Sequence, residues 1–170
     1  KSEVEIKFYK NADVEIRKVF WELLNKCGKE KGFYVQPYSD LNSKIEIFKE
    51  ESVISLAYFN GVAVAGALIL NFDGNSFYTH AGANKIGRET FASYKLLWKT
   101  MLYLKKEGIE FFDLEGIYDS RFPSFTKNWS GFTLFKMKFG GKIVEFPAPY
   151  IKYYNKVLAG LDKVMGNLPL

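Results

Sequence analysis

The residues able to do chemistry in this chain are few, and their scarcity narrows the options. His80 is the only histidine and Cys27 the only cysteine. A Ser-His-Asp triad, a Cys-His pair or a multi-histidine metal site would each have to use that one ring. A disulfide within the chain and a multi-thiolate metal site are excluded outright, and no metal or cofactor is expected. Two carboxylates, Asp113 and Glu115, stand two residues apart in a short apolar run. On a strand they share one face, where they could orient an amine or accept its proton. Downstream, Phe135-Lys136-Met137-Lys138-Phe139-Gly140-Gly141 interleaves two cations with two aromatic rings. On spacing alone, Lys136 reads as a surface lysine of an amphipathic element. His80 titrates near neutrality and ends a strand, so it is a further candidate at a cleft mouth. Cys27 falls in an apolar helical pattern and reads as a buried, inert thiol.

The elements that must position these residues can be traced along the sequence. Residues 4–9 alternate apolar and charged side chains and read as a half-buried strand. Asp13 can cap a helix carrying Val14, Val19, Phe20, Leu23 and Leu24, which Gly32 ends. Asp40 or Ser43 can cap a second, short helix after Pro37. Residues 53–59, 62–71 and 76–80 form an antiparallel meander, turned at Asn60-Gly61 and Asp73-Gly74. Residues 88–107 follow as one long amphipathic helix closed by Gly108. A strand over 109–114 should then lie parallel to the last meander strand. Residues 119–131, broken by Pro123, read as a loop with a short helix, and residues 132–139 fit helix or strand equally. Residues 142–146 read as a strand and 150–164 as a closing helix. No repeat or linker interrupts the series, so one domain over residues 1–170 is expected.

Hydrophobic content of 48% and aromatic content of 18% call for a packed core rather than a disordered chain. No run approaches the roughly 20 apolar residues that span a bilayer. A net charge of +5 favours an anionic partner. The chain opens on Lys1 with no apolar run behind it, which reads as a segment of a longer protein.

The element order is similar to the GNAT acetyltransferase-like fold: α/β (α+β), with a mixed, mostly antiparallel central sheet flanked by helices. Three segments sharpen this: Phe112-Asp113-Leu114-Glu115-Gly116-Ile117, Asn128-Trp129-Ser130-Gly131-Phe132, and Phe135-Lys136 with Phe139-Gly140-Gly141. In order and spacing they resemble the second GNAT-like domain of the Fem family, the aminoacyltransferases that build peptidoglycan interpeptide bridges. The resemblance runs over roughly residues 15 to 150. It implies transfer of an amino acid from aminoacyl-tRNA to an amine of a nucleotide- or lipid-linked peptidoglycan precursor, with no cofactor. It also implies an N-terminal GNAT-like domain outside this chain, and a cytoplasmic monomer, soluble or peripheral at the inner face of the membrane.

By that resemblance Lys136 stabilises the tetrahedral oxyanion and Phe135 stacks on the terminal adenine, with Phe139 and Trp129 beside them. Lys138 and Lys142 would meet phosphate. Tyr34 and Tyr78 fall where the family places tyrosines near the acceptor. One position departs from the family. Glu30, in Cys27-Gly28-Lys29-Glu30-Lys31-Gly32-Phe33, stands where an acceptor-facing arginine is usual, and a carboxylate does not grip phosphate. The rivals are an acyl-CoA acetyltransferase and a non-catalytic module that binds tRNA or another anion. For the first, only Gly87 of Asn84-Lys85-Ile86-Gly87-Arg88-Glu89 fits a pyrophosphate loop at a helix start.

Overall fold

Two tight turns set the centre of the fold. Asn60 and Gly61 both adopt positive φ (51° and 77°), as do Asp73 and Gly74 (49° and 72°). That is the type I′ geometry whose twist matches the strands it joins. It folds β2 (Ser52–Phe59), β3 (Val62–Phe72) and β4 (Asn75–Ala83) into the expected meander. The computed structural model describes residues 3–147, 152–154, 156–157 and 160. β1 (Glu5–Lys10) pairs antiparallel with β2, and β5 (Phe111–Asp113) pairs parallel with β4. The sheet order is therefore β1-β2-β3-β4-β5.

β2 and β3 carry apolar residues toward both faces, so helices must cover both. On one face Ile54, Leu56, Leu68 and Leu70 pack with Phe20 and Leu24 of α1 (Val14–Lys31) and Leu41 and Ile45 of α2 (Tyr38–Phe48). On the other, Val53, Ala57, Ala65, Ala67 and Ile69 pack with Leu96, Leu97 and Leu104 of α4 (Ala92–Lys106). α1 begins where Asp13 accepts the Ile16 N–H at 2.9 Å and ends at Gly32 in the left-handed region (φ 71°), both as the sequence predicts. The buried Arg17, not anticipated, donates to the Ala12 carbonyl at 2.6 Å and to Asn42 at 2.8 Å, tying α1 to α2.

Three expectations change, and one open choice is settled. α2 starts directly after Pro37, ahead of both proposed caps, and no side chain caps it. The long helix over 88–107 is two helices, α3 (Lys85–Glu89) and α4, separated by Phe91 at φ 54°. Phe91 and Trp98, which helical spacing puts on one apolar face with Leu97 and Leu104, are 69% and 53% exposed. Residues 132–139, open between helix and strand, form α6 (Ser130–Met137), preceded by the short α5 (Pro123–Thr126).

The backbone separates into two units, Lys1–Phe139 and Gly140–Leu170. The first holds every element above. In the second, residues 142–146 form no strand: alternation alone is not a ladder, and Ile143, Val144 and Phe146 are exposed. Of the closing helix read over 150–164, Lys156, Val157 and Gly160 are helical, and most of the rest lies outside the described residues. Among the described residues no helix is long and apolar enough to cross a membrane.

Candidate active site

β4 and β5 are paired over only three residues, Asn75–Phe111 to Phe77–Asp113. β4 then runs on to Ala83 bonded to β3 alone, while β5 ends at Asp113. A register shift at Leu68/Ile69 leaves Thr79 as an extra residue in β4, a bulge that bends the strand just where its neighbour departs. Thr79 holds the bulge by donating its hydroxyl to the Leu68 carbonyl at 3.1 Å. The two strands thus part into a wedge. A cleft of about 430 Å³ fills it, with Tyr78, Thr79 and Ala81 to Ala83 on one side and Glu115, Gly116, Trp129, Phe132, Phe135 and Lys136 on the other. Ser93 and Leu96 of α4 close its base.

The wall opposite β4 is built by a loop folded onto α6. Tyr118 donates its N–H to Thr133 Oγ1 at 2.8 Å, and that hydroxyl donates to the Trp129 carbonyl at 2.8 Å. Farther along, Thr126 Oγ1 accepts the Asp119 N–H at 3.2 Å. Gly116 lies flat against the Trp129 indole, where a Cβ would sit 2.9 Å from the ring. Only glycine allows that approach. α6 then presents Lys136 one turn beyond Phe132, and its ammonium lies 4.9 Å from that ring's centre. Nζ donates to the Gly116 carbonyl at 2.7 Å. An ammonium has three donors, so two stay available to the cleft.

The electrostatics of this corner are coupled. Burial lowers the Lys136 pKa below the ordinary lysine value, while the Glu115 and Asp113 carboxylates act to retain its proton. The Glu115 carboxyl is shifted above the ordinary range, first by partial burial and then by Asp113, against the pull of Lys136. The shared strand face expected for Asp113 and Glu115 does not form. β5 stops at Asp113, whose Oδ1 accepts the Glu115 N–H at 2.6 Å, and Glu115 turns into the left-handed region at φ 64°. That turn places Glu115, and not Asp113, among the residues lining the cleft.

The other candidates divide. Tyr78, Trp129 and Phe135 line the cleft with Lys136. Burial holds the Tyr78 phenol above its ordinary pKa. Phe135 also packs its edge on Tyr94 of α4, ring centres 4.9 Å apart, and Phe139 stacks on the same tyrosine at 5.9 Å. Phe139 therefore braces α6 against α4 and does not line the cleft. Lys138 sits 5.4 Å over the Tyr94 ring. Tyr34, 81% exposed, lies outside the cleft lining, and Lys142 belongs to the second unit. His80 pairs with Leu68, so its ring faces the α1–α2 side of the sheet, away from the cleft. Burial, and secondarily Lys44, lower its pKa to about 4, and its Nδ1 has no partner among the described residues. Sequence reasoning gave no role to Gly116, Thr133 or Ser93. Gly116 carries a usable signal, a glycine directly after the Asp113/Glu115 carboxylate pair; the other two carry none.

At the start of α3, the position of the pyrophosphate loop in an acyl-CoA acetyltransferase, Asn84 Oδ1 accepts the Gly87 N–H at 2.9 Å. A Cβ on Gly87 would fall 2.1 Å from the Val64 carbonyl oxygen, so this glycine serves helix-on-sheet packing. Arg88 donates to the Ala83 carbonyl at 2.7 Å and pairs with Glu30 at 2.9 Å. The unexpected carboxylate at position 30 thus serves as a tie between α1 and α3. Among the described residues no cluster of His, Cys, Asp and Glu could hold a metal ion.

The fold is shared with solved acetyltransferases. A GNAT-family acetyltransferase from Staphylococcus aureus Mu50 superposes with a TM-score of 0.64 at 18% identity, over 89% of this chain and 95% of that one. The PaiA N-acetyltransferase of Thermoplasma acidophilum, solved with coenzyme A, gives 0.61 at 14% identity over 84% and 93%. An aminoglycoside 6′-N-acetyltransferase from Acinetobacter haemolyticus gives 0.60 at 14% identity over 89% and 99%. Identities this low speak for the fold, which is the GNAT fold. No curated protein matches the chain by sequence. The model of the FemAB family matches residues 28–166, a span holding the meander, the parting of β4 from β5 and the Lys136 corner. The chain belongs to the FemAB family.

Proposed function

We propose that this chain carries the donor side of an aminoacyltransferase that moves an amino acid from aminoacyl-tRNA to an amine of a peptidoglycan precursor. The observation that carries the reading is the Lys136 ammonium. It is fixed on the Gly116 carbonyl, half withdrawn from water, and lines the cleft with two donors to spare. Aminolysis of an ester needs little more from a protein than placement and stabilised charge. The neutral acceptor amine attacks the ester carbonyl carbon, and the carbonyl π pair becomes an oxyanion. Lys136 meets that oxygen with its free N–H groups. Collapse forms the amide, breaks the bond to the ribose oxygen, and leaves the amine's proton on that oxygen through the substrates' own hydroxyls. The neutral His80, turned to the other face of the sheet, takes no part.

Phe135, Phe132 and Trp129 supply flat apolar surface beside Lys136 on which an adenine can stack, worth about 1–3 kcal/mol per base. Lys138, exposed directly after α6, supports the reading as a cation able to meet a neighbouring phosphate. An acyl-CoA donor is the alternative on this fold. The first turn of α3 argues against it, because Asn84 already takes the Gly87 N–H and Arg88 is committed to Ala83 and Glu30.

The test is Lys136→Met in the full-length protein, assayed for transfer from aminoacyl-tRNA. Loss of one oxyanion donor predicts a fall of about 10²-fold or more in the transfer rate, with the melting temperature held. Transfer at the wild-type rate removes Lys136 from the mechanism.

A further inference from the structure

We infer that Glu115 selects the donor, its carboxylate receiving the α-ammonium of the aminoacyl group while Lys136 holds the adjacent carbonyl oxygen. This rests on the reading of the donor as an aminoacyl ester. Three observations meet at this residue. Glu115 lines the cleft beside Gly116, and the Gly116 carbonyl is the anchor of Lys136. A carboxylate and an ammonium therefore line the same wall of the cleft, and an aminoacyl ester carries its carbonyl oxygen and its α-nitrogen on adjacent carbons. Among the described residues the Glu115 side chain has no hydrogen-bond or ion-pair partner, whereas Asp113 is occupied by the Glu115 N–H. And Glu115 is held at φ 64°, where glycine fits without strain. A charged side chain sits at a position the backbone would give to glycine, a kind of strain that clusters at functional sites.

The carboxylate suits the donor amine better than the acceptor amine. A nucleophilic amine must be neutral to attack, and a neighbouring carboxylate favours its protonated form. The α-amino group does not react, and with an intrinsic pKa of about 8 it can be held as ammonium near neutral pH. An acetyl group would instead press a methyl against the carboxylate and leave it without a partner, a mismatch that polar sites reject strongly. Glu115 thus separates aminoacyl from plain acyl donors on a fold shared with solved acetyltransferases.

The test uses CCA-ended RNA minihelices carrying alanine, or its α-hydroxy counterpart lactate, through a non-hydrolysable 3′-amide. Binding is measured to the full-length protein and to its Glu115→Gln and Glu115→Gly variants. Wild type should bind the alanyl RNA about tenfold or more tighter than the lactyl RNA. Both variants should weaken only the alanyl complex and erase the preference. Glu115→Gly, relieved of its backbone strain, should melt no lower than wild type, which separates the effect from misfolding. A preference that survives in Glu115→Gln overturns the role of Glu115 and leaves the donor reading standing. Equal wild-type affinities for the two RNAs do the same. If neither RNA binds the wild type, the aminoacyl-ester reading itself falls, and this inference with it.

Discussion

At the scale of single residues, the site is a coupled pair of shifted groups. Lys136 is partly desolvated and keeps its proton with the help of two carboxylates, Glu115 foremost. Transfer that needs the ammonium is lost as pH rises through the Lys136 pKa. Because that pKa is lowered, the alkaline limb of the rate profile should come below the ordinary lysine value of 10.5. Glu115→Gln removes a supporting charge, so its limb should move to lower pH still. A limb at the ordinary lysine position in both proteins would show that Lys136 is not the titrating group. His80 makes a separate prediction about stability. Its folded pKa, about 4, lies below the unfolded 6.5, so the unfolded chain binds the extra proton between those values. Stability should therefore fall as pH drops from about 6.5 toward 4, and His80→Asn should flatten that part of a denaturation series. Lys136, Phe135 and Glu115 could be picked from the sequence as types in a pattern. The facing of His80 could not, because it depends on the bulge at Thr79, which no local pattern marks.

At the scale of elements, the turns were the readable part. Asn60-Gly61 and Asp73-Gly74 state their own geometry, and the strands between them follow in register. The division between α3 and α4 was not readable, since neither glycine nor proline marks Phe91 and the apolar spacing runs on through it. Its cause is tertiary. Gly87 seats α3 directly on the Val64 carbonyl, while α4 lies along the sheet through Leu96, Leu97 and Leu104. A single helix does not run through both positions; Phe91 takes the bend. Gly87→Ala should therefore cost about 1–3 kcal/mol, as overpacking against a rigid backbone does. Chemical denaturation measures it, and a loss below about 0.5 kcal/mol would show that α3 is not seated on the sheet. Residues 142–146 teach the converse. Their alternation is that of a strand, yet pairing needs a partner edge that no local sequence specifies.

At the scale of the whole molecule, the GNAT fold supplies a wedge between two parallel strands, and the FemAB family match spans that wedge and its Lys136 corner. The fold alone allows many acyl donors. The features that bear on the donor are local: an α3 whose first turn is already capped and committed, and an ammonium and a carboxylate on the cleft wall across from β4. The most direct check is a single-turnover assay of the full-length protein with labelled aminoacyl-tRNA and a peptidoglycan precursor, run beside an equal assay with acetyl-CoA. Label should pass from the tRNA to the precursor's amine in the wild type and fail to pass in Lys136→Met, with acetyl-CoA unused. Acetyl transfer without aminoacyl transfer, or equal aminoacyl transfer in both proteins, would contradict the account.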